Sequence, residues 1–345
     1  MRSRGLFMYT YNEIMAQGQK LERTKDIVQL MTFNDDAVDV VLFTGCGTSY
    51  YLAIAAARYY QSVTGAFAIA VPASELFLHT DTFILPHKKY LIIGISRSGA
   101  TSEIIMSLEH LKDAKNIRTI AVTCNGDTPM ARLTDELIAL NDISEKSVVM
   151  TQSFSNMLYA LQLYAAKISG RADMLEQLEK IPALVHSALG NGQQLTQVTE
   201  DASKKRFIFL GSGAYNGLAK EATLKLKEMT QTECESYSNL EFRHGPISIV
   251  DKETVVIIFT QNETKEYDQA LVKDIQKLGG FVIIIGIASE ELEADLIFKL
   301  SAEVDDLNRL VEAVPYFQLL AYQHAIFKGR NPDKPRNLTQ VVKLS

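Results

Sequence analysis

VVLFTGCGTSYYLAIAAARYY (residues 40–60) runs from a β-branched apolar stretch through a glycine-rich turn into a helical pattern, and RFIFLGSGAYNGLAKEATLKLKE (206–228) repeats that grammar. In the repeat, Gly45 corresponds to Gly211 and Gly47 to Gly213. The parallel continues downstream: YLIIGI, IRTIAVT and ELIALN in the first half match TVVIIFT, FVIIIGIA and LIFKLSAEV in the second. Each half then closes with a long apolar-periodic helix, at about 151–169 and about 306–328. Continuous apolar strands alternating with amphipathic helices indicate parallel sheets covered on both faces. The fold class is therefore α/β, as two similar sandwiches in tandem.

The two copies differ where chemistry would sit. After its third strand pattern the first half carries SRSGATSE (96–103), whereas the second carries TQNETKEY (260–267), without the glycine or the serines and with two glutamates. An ordinary strand-to-helix corner needs one capping side chain and perhaps one glycine. Here Ser96, Ser98, Thr101 and Ser102 cluster around Gly99, with Arg97 as a cation. Ligands of doubly wound sheets bind beyond the carboxyl ends of the strands, where helix N-termini offer free N–H groups to an anion. The turn TGCGTSY (44–50) is a second such corner. Together they read as phosphate binding, with Gly45, Gly47 and Gly99 letting the backbone approach and the hydroxyls and Arg97 supplying donors. Read without a ligand, the hydroxyls of 96–101 merely cap the following helix. A dinucleotide reading is weaker, because Tyr50 stands where G-x-G-x-x-G needs its third glycine, and Glu75 in PASEL fits a helix cap better than a ribose ligand.

Composition narrows the partners. The net charge of −6 gives no overall field for nucleic acid or an anionic membrane surface. Cys46, Cys124 and Cys234 are odd in number and widely spaced, which fits a reducing compartment and supplies no zinc or disulfide framework. Asn12 and Glu13 interrupt the N-terminal apolar run before it reaches signal-peptide length, and FVIIIGIA (281–288) has the length of a strand, not of a bilayer span. A cytoplasmic protein with no membrane partner is expected.

Glu221, Lys225 and Glu228 fall at i, i+4 and i+7, hence on one helix face. By spacing alone they read as a solvated salt-bridge stripe, and His244, between Arg243 and Gly245-Pro246, as a satisfied loop histidine. Three further stretches change that reading: KEATLKLKE (220–228), ESYSNLEFRHGPISIVD (235–251) and NPDKPRNLTQVVKL (331–344). With GCGTS and SRSGATSE they make the chain resemble, over nearly its full length, proteins with two sugar isomerase (SIS) domains. The likeness extends to the isomerase half of glucosamine-6-phosphate synthase and, closer still, to the free-standing SIS-type glucosamine-6-phosphate deaminases. FRHGP and PRNL in this order are its most specific signals.

The resemblance implies two flavodoxin-like three-layer sandwiches and a homodimer with its active site at the subunit interface. It further implies a phosphosugar substrate, held by Ser96, Arg97, Ser98 and Thr101 and by Gly47, Thr48 and Ser49 of the first glycine turn, and no metal or organic cofactor. It assigns Glu228 as the catalytic acid–base, His244 as the ring-opening group reaching over from the neighbouring subunit, and Lys225 as a lysine beside the sugar C1 and C2. It also makes VVMTQSF (148–154) a substrate-proximal segment, with Gln152 where lysine is usual. Aldose–ketose conversion moves a proton between C1 and C2, so it needs a base that can return the proton and an acid–base group that opens the ring.

The domain plan that follows is an N-terminal helical segment (1–27), a first SIS domain with the phosphate site (28–170) and a helical connector interrupted by Pro182 and Gly190 (171–202). A second SIS domain holds the catalytic helix and RHGP loop (203–330), and an extended tail lies over the active site (331–345). Three departures matter, one being that Arg97 adds charge to a phosphate site otherwise relying on neutral donors. The synthase carries a lysine where Gln340 stands, with Lys343 nearby, and no glutaminase segment precedes residue 1, so deamination of an amino-sugar phosphate to ketose phosphate and ammonia is the expected direction. The alternatives are a fructosamine-6-phosphate deglycase, a plain ketose–aldose isomerase, or a phosphosugar sensor without catalysis.

Overall fold

The computed structural model describes residues 9–287, 293–342 and 344, so Lys343 lies outside the described residues. It contains two five-stranded sheets in which every strand pair is parallel. The first is built from β1 (Val40–Gly45), β2 (Ala68–Pro72), β3 (Tyr90–Ile95), β4 (Ile117–Thr123) and β5 (Glu136–Ala139), in the order β2-β1-β3-β4-β5. The second is built from β6 (Arg206–Leu210), β7 (Cys234–Tyr237), β8 (Thr254–Thr260), β9 (Phe281–Gly286) and β10 (Leu296–Lys299), in the order β7-β6-β8-β9-β10. The two orders are the same, and they are the flavodoxin-like order.

The chain's contacts group into two compact units that interleave in sequence. One holds the first sheet and comprises residues 19–145, 150–179 and 339 onward; the other holds the second sheet and comprises the described residues up to 18 together with 146–149 and 180–338. In the first unit β3 is buried at every position, and Leu42, Val71, Tyr90 and Ile92 form a core with Leu76 and Leu111. Right-handed crossovers place the helix Thr48–Thr64 on one face of the sheet and the helices Ala73–Leu78 and Ser102–Leu111 on the other. The helix Gln152–Ile168 packs on Thr48–Thr64. In the second unit β8 is likewise buried throughout, and the helices Tyr215–Thr230 and Leu310–Phe327 pack against each other.

Glycines mark the repeat. A Cβ on Gly45 would meet the Ser49 backbone at 2.6 Å and one on Gly211 the Tyr215 carbonyl oxygen at 2.2 Å, while Gly47 and Gly213 share a positive φ of 55° and 58°. The connector is helical and is interrupted at both expected places: one helix ends at Leu178, the next, Ile181–Gly190, carries Pro182 in its first turn, where the missing N–H leaves nothing unpaired, and it ends at Gly190. One sequence expectation changes. The closing helix of the second half starts at Leu310, not near 306, because Asp305–Asn308 form a turn.

Candidate functional site

In the first sheet the strand order reverses between β1 and β3, and both predicted corners sit at their carboxyl ends. Thr48 and Ser49 are buried in the first turn after Gly47, which itself makes no side-chain cap. Burial, and then the charge of Glu103, pushes the neighbouring Cys46 thiol up to about 12, so it is no thiolate nucleophile at neutral pH.

After β3 the hydroxyls do not cap. Thr101 occupies the N-cap of Ser102–Leu111 without a side-chain cap bond, and its Oγ1 pairs instead with Ser96 Oγ at 2.9 Å. Ser96 Oγ also accepts from Gly99 N–H at 3.2 Å, and Ser98 Oγ accepts from Ala100 N–H at 3.2 Å. The capping account of these residues is thereby overturned. The first N–H of this helix to find a backbone carbonyl is that of Ile105, on Thr101, and Ser102 Oγ accepts from the Leu344 N–H of the C-terminal tail at 3.1 Å. Gly99 has φ +60°, and a Cβ there would lie 2.3 Å from Thr128 Oγ1. Replacing it with alanine is expected to cost about 1–3 kcal/mol in backbone conformation alone. A fall in thermal midpoint and weaker phosphate binding check this; an unchanged midpoint refutes it.

Arg97 is not the free cation that its place in the loop implies. Its Nη1 donates to Glu145 Oε2 at 2.9 Å and its Nη2 to the Gln340 carbonyl at 3.2 Å. Glu145, absent from the sequence-derived site, has a side chain with no exposed surface and accepts from Thr151 N, Thr151 Oγ1, Ser153 N and Ser153 Oγ as well. Gln152 is buried and donates to the Ser144 carbonyl. Gln340 donates to the Glu145 carbonyl at 3.3 Å. A cleft of about 520 Å³ opens among Arg97, Ser98, Asn125, Asn141, Glu145 and Gln340. Glu75 lies in the first turn of Ala73–Leu78, half exposed, near His79.

The equivalent corner of the second sheet is occupied by its own chain. The N–H of Asn262 donates to Asp306 Oδ2 at 2.8 Å, and Gln261 Nε2 donates to the Ser212 carbonyl at 3.2 Å. Its hydroxyl, Thr264 Oγ1, is held by Asp268.

What the second sheet offers lies on the helix Tyr215–Thr230. Glu221 and Lys225 have no exposed side-chain surface and Glu228 retains 19%. Lys225 Nζ stands 2.5 Å from Glu228 Oε2 and 3.4 Å from Glu221 Oε1. The solvated stripe read from spacing is thus a buried carboxylate–ammonium–carboxylate row. Burial works to lower the Lys225 pKa, but the two carboxylates outweigh it and hold the ammonium above its ordinary value. Nor is His244 a satisfied loop residue. It stands exposed between two short 3-10 turns, Glu241–Arg243 and Pro246–Ile249, and its imidazole makes no hydrogen bond among the described residues. Leu240 and Ile249 beside it are also exposed, while Arg243 pairs with Asp274.

Among the described residues no group of three or more His, Cys, Asp and Glu could hold a metal ion, and no helix is long and apolar enough to cross a membrane. Two flavodoxin-order sheets, one with a hydroxyl-rich corner at its switch point and the other beside a helix with a buried carboxylate–ammonium–carboxylate row, define a tandem α/β protein. The chain belongs to the SIS domain family, whose model matches residues 38–167 and 202–324. It is 28% identical to the glutamine–fructose-6-phosphate aminotransferase of Shewanella oneidensis over 97% of this chain and 58% of that protein. It therefore spans little more than half the length of the curated relatives it matches. Among solved structures, the glucosamine-6-phosphate deaminase of Thermotoga maritima is 30% identical with a TM-score of 0.78, over 97% of this chain and all of that one. The C-terminal domain of the Francisella tularensis glucosamine-fructose-6-phosphate aminotransferase is 26% identical with a TM-score of 0.87, also over 97% of this chain and 100% of that one.

Proposed function

We propose that the protein is an amino-sugar-6-phosphate deaminase/isomerase that converts glucosamine 6-phosphate to fructose 6-phosphate and ammonia. The observation that carries this reading is the Glu221–Lys225–Glu228 row, whose outer carboxylate alone keeps access to solvent. A base for carbon acids needs such a group, a carboxylate fixed in place and open on one side. In this reading the corners holding Gly47, Thr48, Ser49, Ser96, Ser98 and Thr101 bind the 6-phosphate. His244 moves the anomeric hydroxyl proton to the ring oxygen, opening the sugar. Glu228 then takes the C2 proton and returns it to C1, which leaves a ketimine at C2. Water adds to that carbon and ammonia departs. Lys225 holds Glu228 oriented.

The exposed His244, with Leu240 and Ile249 around it, supports a homodimer in which this loop faces the second subunit. Whole-length likeness to a glucosamine-6-phosphate deaminase supports deamination over synthesis.

The test is to incubate the purified protein with glucosamine 6-phosphate and quantify ammonia and fructose 6-phosphate together. Both are expected in equal amounts. Ketose–aldose interconversion without ammonia replaces the reading with a plain isomerase, ammonia from fructosamine 6-phosphates only replaces it with a deglycase, and binding without turnover leaves a sensor.

A further inference from the structure

Glu145 lies in the loop that follows β5, 48 positions from Arg97 of the phosphate corner. Five donors converge on it: the guanidinium of Arg97, two backbone N–H groups at the head of Gln152–Ile168, and the hydroxyls of Thr151 and Ser153. A carboxylate with no exposed surface is tolerated only when paired and bonded in this way. The helix head favours a negative charge, so Glu145 acts as that helix's resident anion. Through Arg97 it also reaches the phosphate corner, and Arg97 in turn holds Gln340.

An unanchored arginine is a long, multi-rotamer chain whose side-chain entropy is lost when a ligand must fix it. Held at Nη1 by Glu145 and at Nη2 by Gln340, Arg97 is ordered before any ligand arrives, with 14% of its side chain open on the cleft beside Ser98. The pair is formally neutral. It therefore contributes orientation to the corner and little net charge.

We propose that Glu145 is the positioning residue of the phosphate corner, which fixes Arg97 and the head of Gln152–Ile168 in one arrangement before a phosphosugar binds. This rests on the phosphosugar reading above and adds a residue to it.

The experiment measures binding of inorganic phosphate and glucosamine 6-phosphate by calorimetry at low and high salt, with KM and kcat alongside, for the wild type and four variants. Positioning and simple neutralisation predict opposite signs. Glu145→Gln leaves the guanidinium charge uncompensated, so if Glu145 only neutralised Arg97 the variant would bind phosphate more tightly, with a steeper salt dependence. Positioning predicts binding about tenfold weaker or worse, expressed in KM more than in kcat. It also predicts that Arg97→Gln loses a similar factor and that the double variant loses no more than either single one. Should Glu145→Gln fail to fold, Arg97→Lys carries the test, because it keeps the charge and loses the planar fork. Positioning then predicts Arg97→Lys as weak as Arg97→Gln. Wild-type affinity in Glu145→Gln or Arg97→Lys, or additive losses in the double variant, overturns the assignment of Glu145 alone. A wild type that binds neither probe overturns the phosphosugar reading and this inference with it.

Discussion

Replacing Lys225 with methionine is expected to lower the free energy of unfolding by about 3–5 kcal/mol, a large share of the stability of an ordinary domain. The ammonium lies between Glu221 at 3.4 Å and Glu228 at 2.5 Å, and neither Lys225 nor Glu221 has exposed side-chain surface. Methionine fills a similar volume but strands a buried carboxylate without its cation, and that desolvation penalty dominates. Urea denaturation followed by circular dichroism reads the loss as a lower midpoint at unchanged slope. A second change, Glu221→Gln, removes the stranded charge and is expected to recover more than half of it. A loss below about 1 kcal/mol, or no recovery in the double variant, contradicts the account. The pH dependence has a definite sign. Folding raises the Lys225 pKa, so its contribution is present in full below the ordinary lysine value and disappears only as pH climbs through the raised one. The gap between wild type and variant therefore persists through neutral and mildly alkaline pH.

Glu228→Gln is expected to reduce turnover of glucosamine 6-phosphate by about 10²–10⁴-fold, the usual worth of a positioned acid–base group, with phosphosugar affinity changed by less than about threefold. Glutamine keeps an acceptor for Lys225 and Glu221 stays in place, so the fold should tolerate the change better than it tolerates loss of the lysine. Single-turnover kinetics beside calorimetric binding separate the two quantities. Unaltered turnover moves the chemistry to another group. Equal losses in binding and turnover make Glu228 a part of the substrate cradle instead.

The central strands were legible because each is buried on both faces and so reads as an unbroken apolar run, as YLIIGI does for β3 and TVVIIFT for β8. Two edge strands were not. β2 (AIAVP) and β7 (CESY) are short and only half covered, and β7 carries Glu235 and Ser236 with no run or alternation long enough to register. At the candidate site, glycine and hydroxyl density marked both corners of the first sheet, since those residue types are set by local backbone geometry. Partnership was not marked. Glu145 in NDISEK looks like any solvated loop charge, and it becomes a hub only because Arg97, 48 positions away, and the head of the next helix fold onto it. Spacing placed Glu221, Lys225 and Glu228 on one face correctly but could not say that the face points inward, because charged residues in isolation are far more often outside.

Asp306 on Asn262 N–H at the second sheet's corner has a consequence for stoichiometry. A tethered carboxylate competes at an effective concentration set by the fold, in the millimolar range or above, which a dissolved phosphosugar of comparable intrinsic affinity does not displace. At the second sheet's corner one N–H is already taken by the chain's own carboxylate. On the reading proposed above, the duplicated scaffold is therefore expected to bind one phosphosugar per chain, with no second, weaker phase in the binding curve.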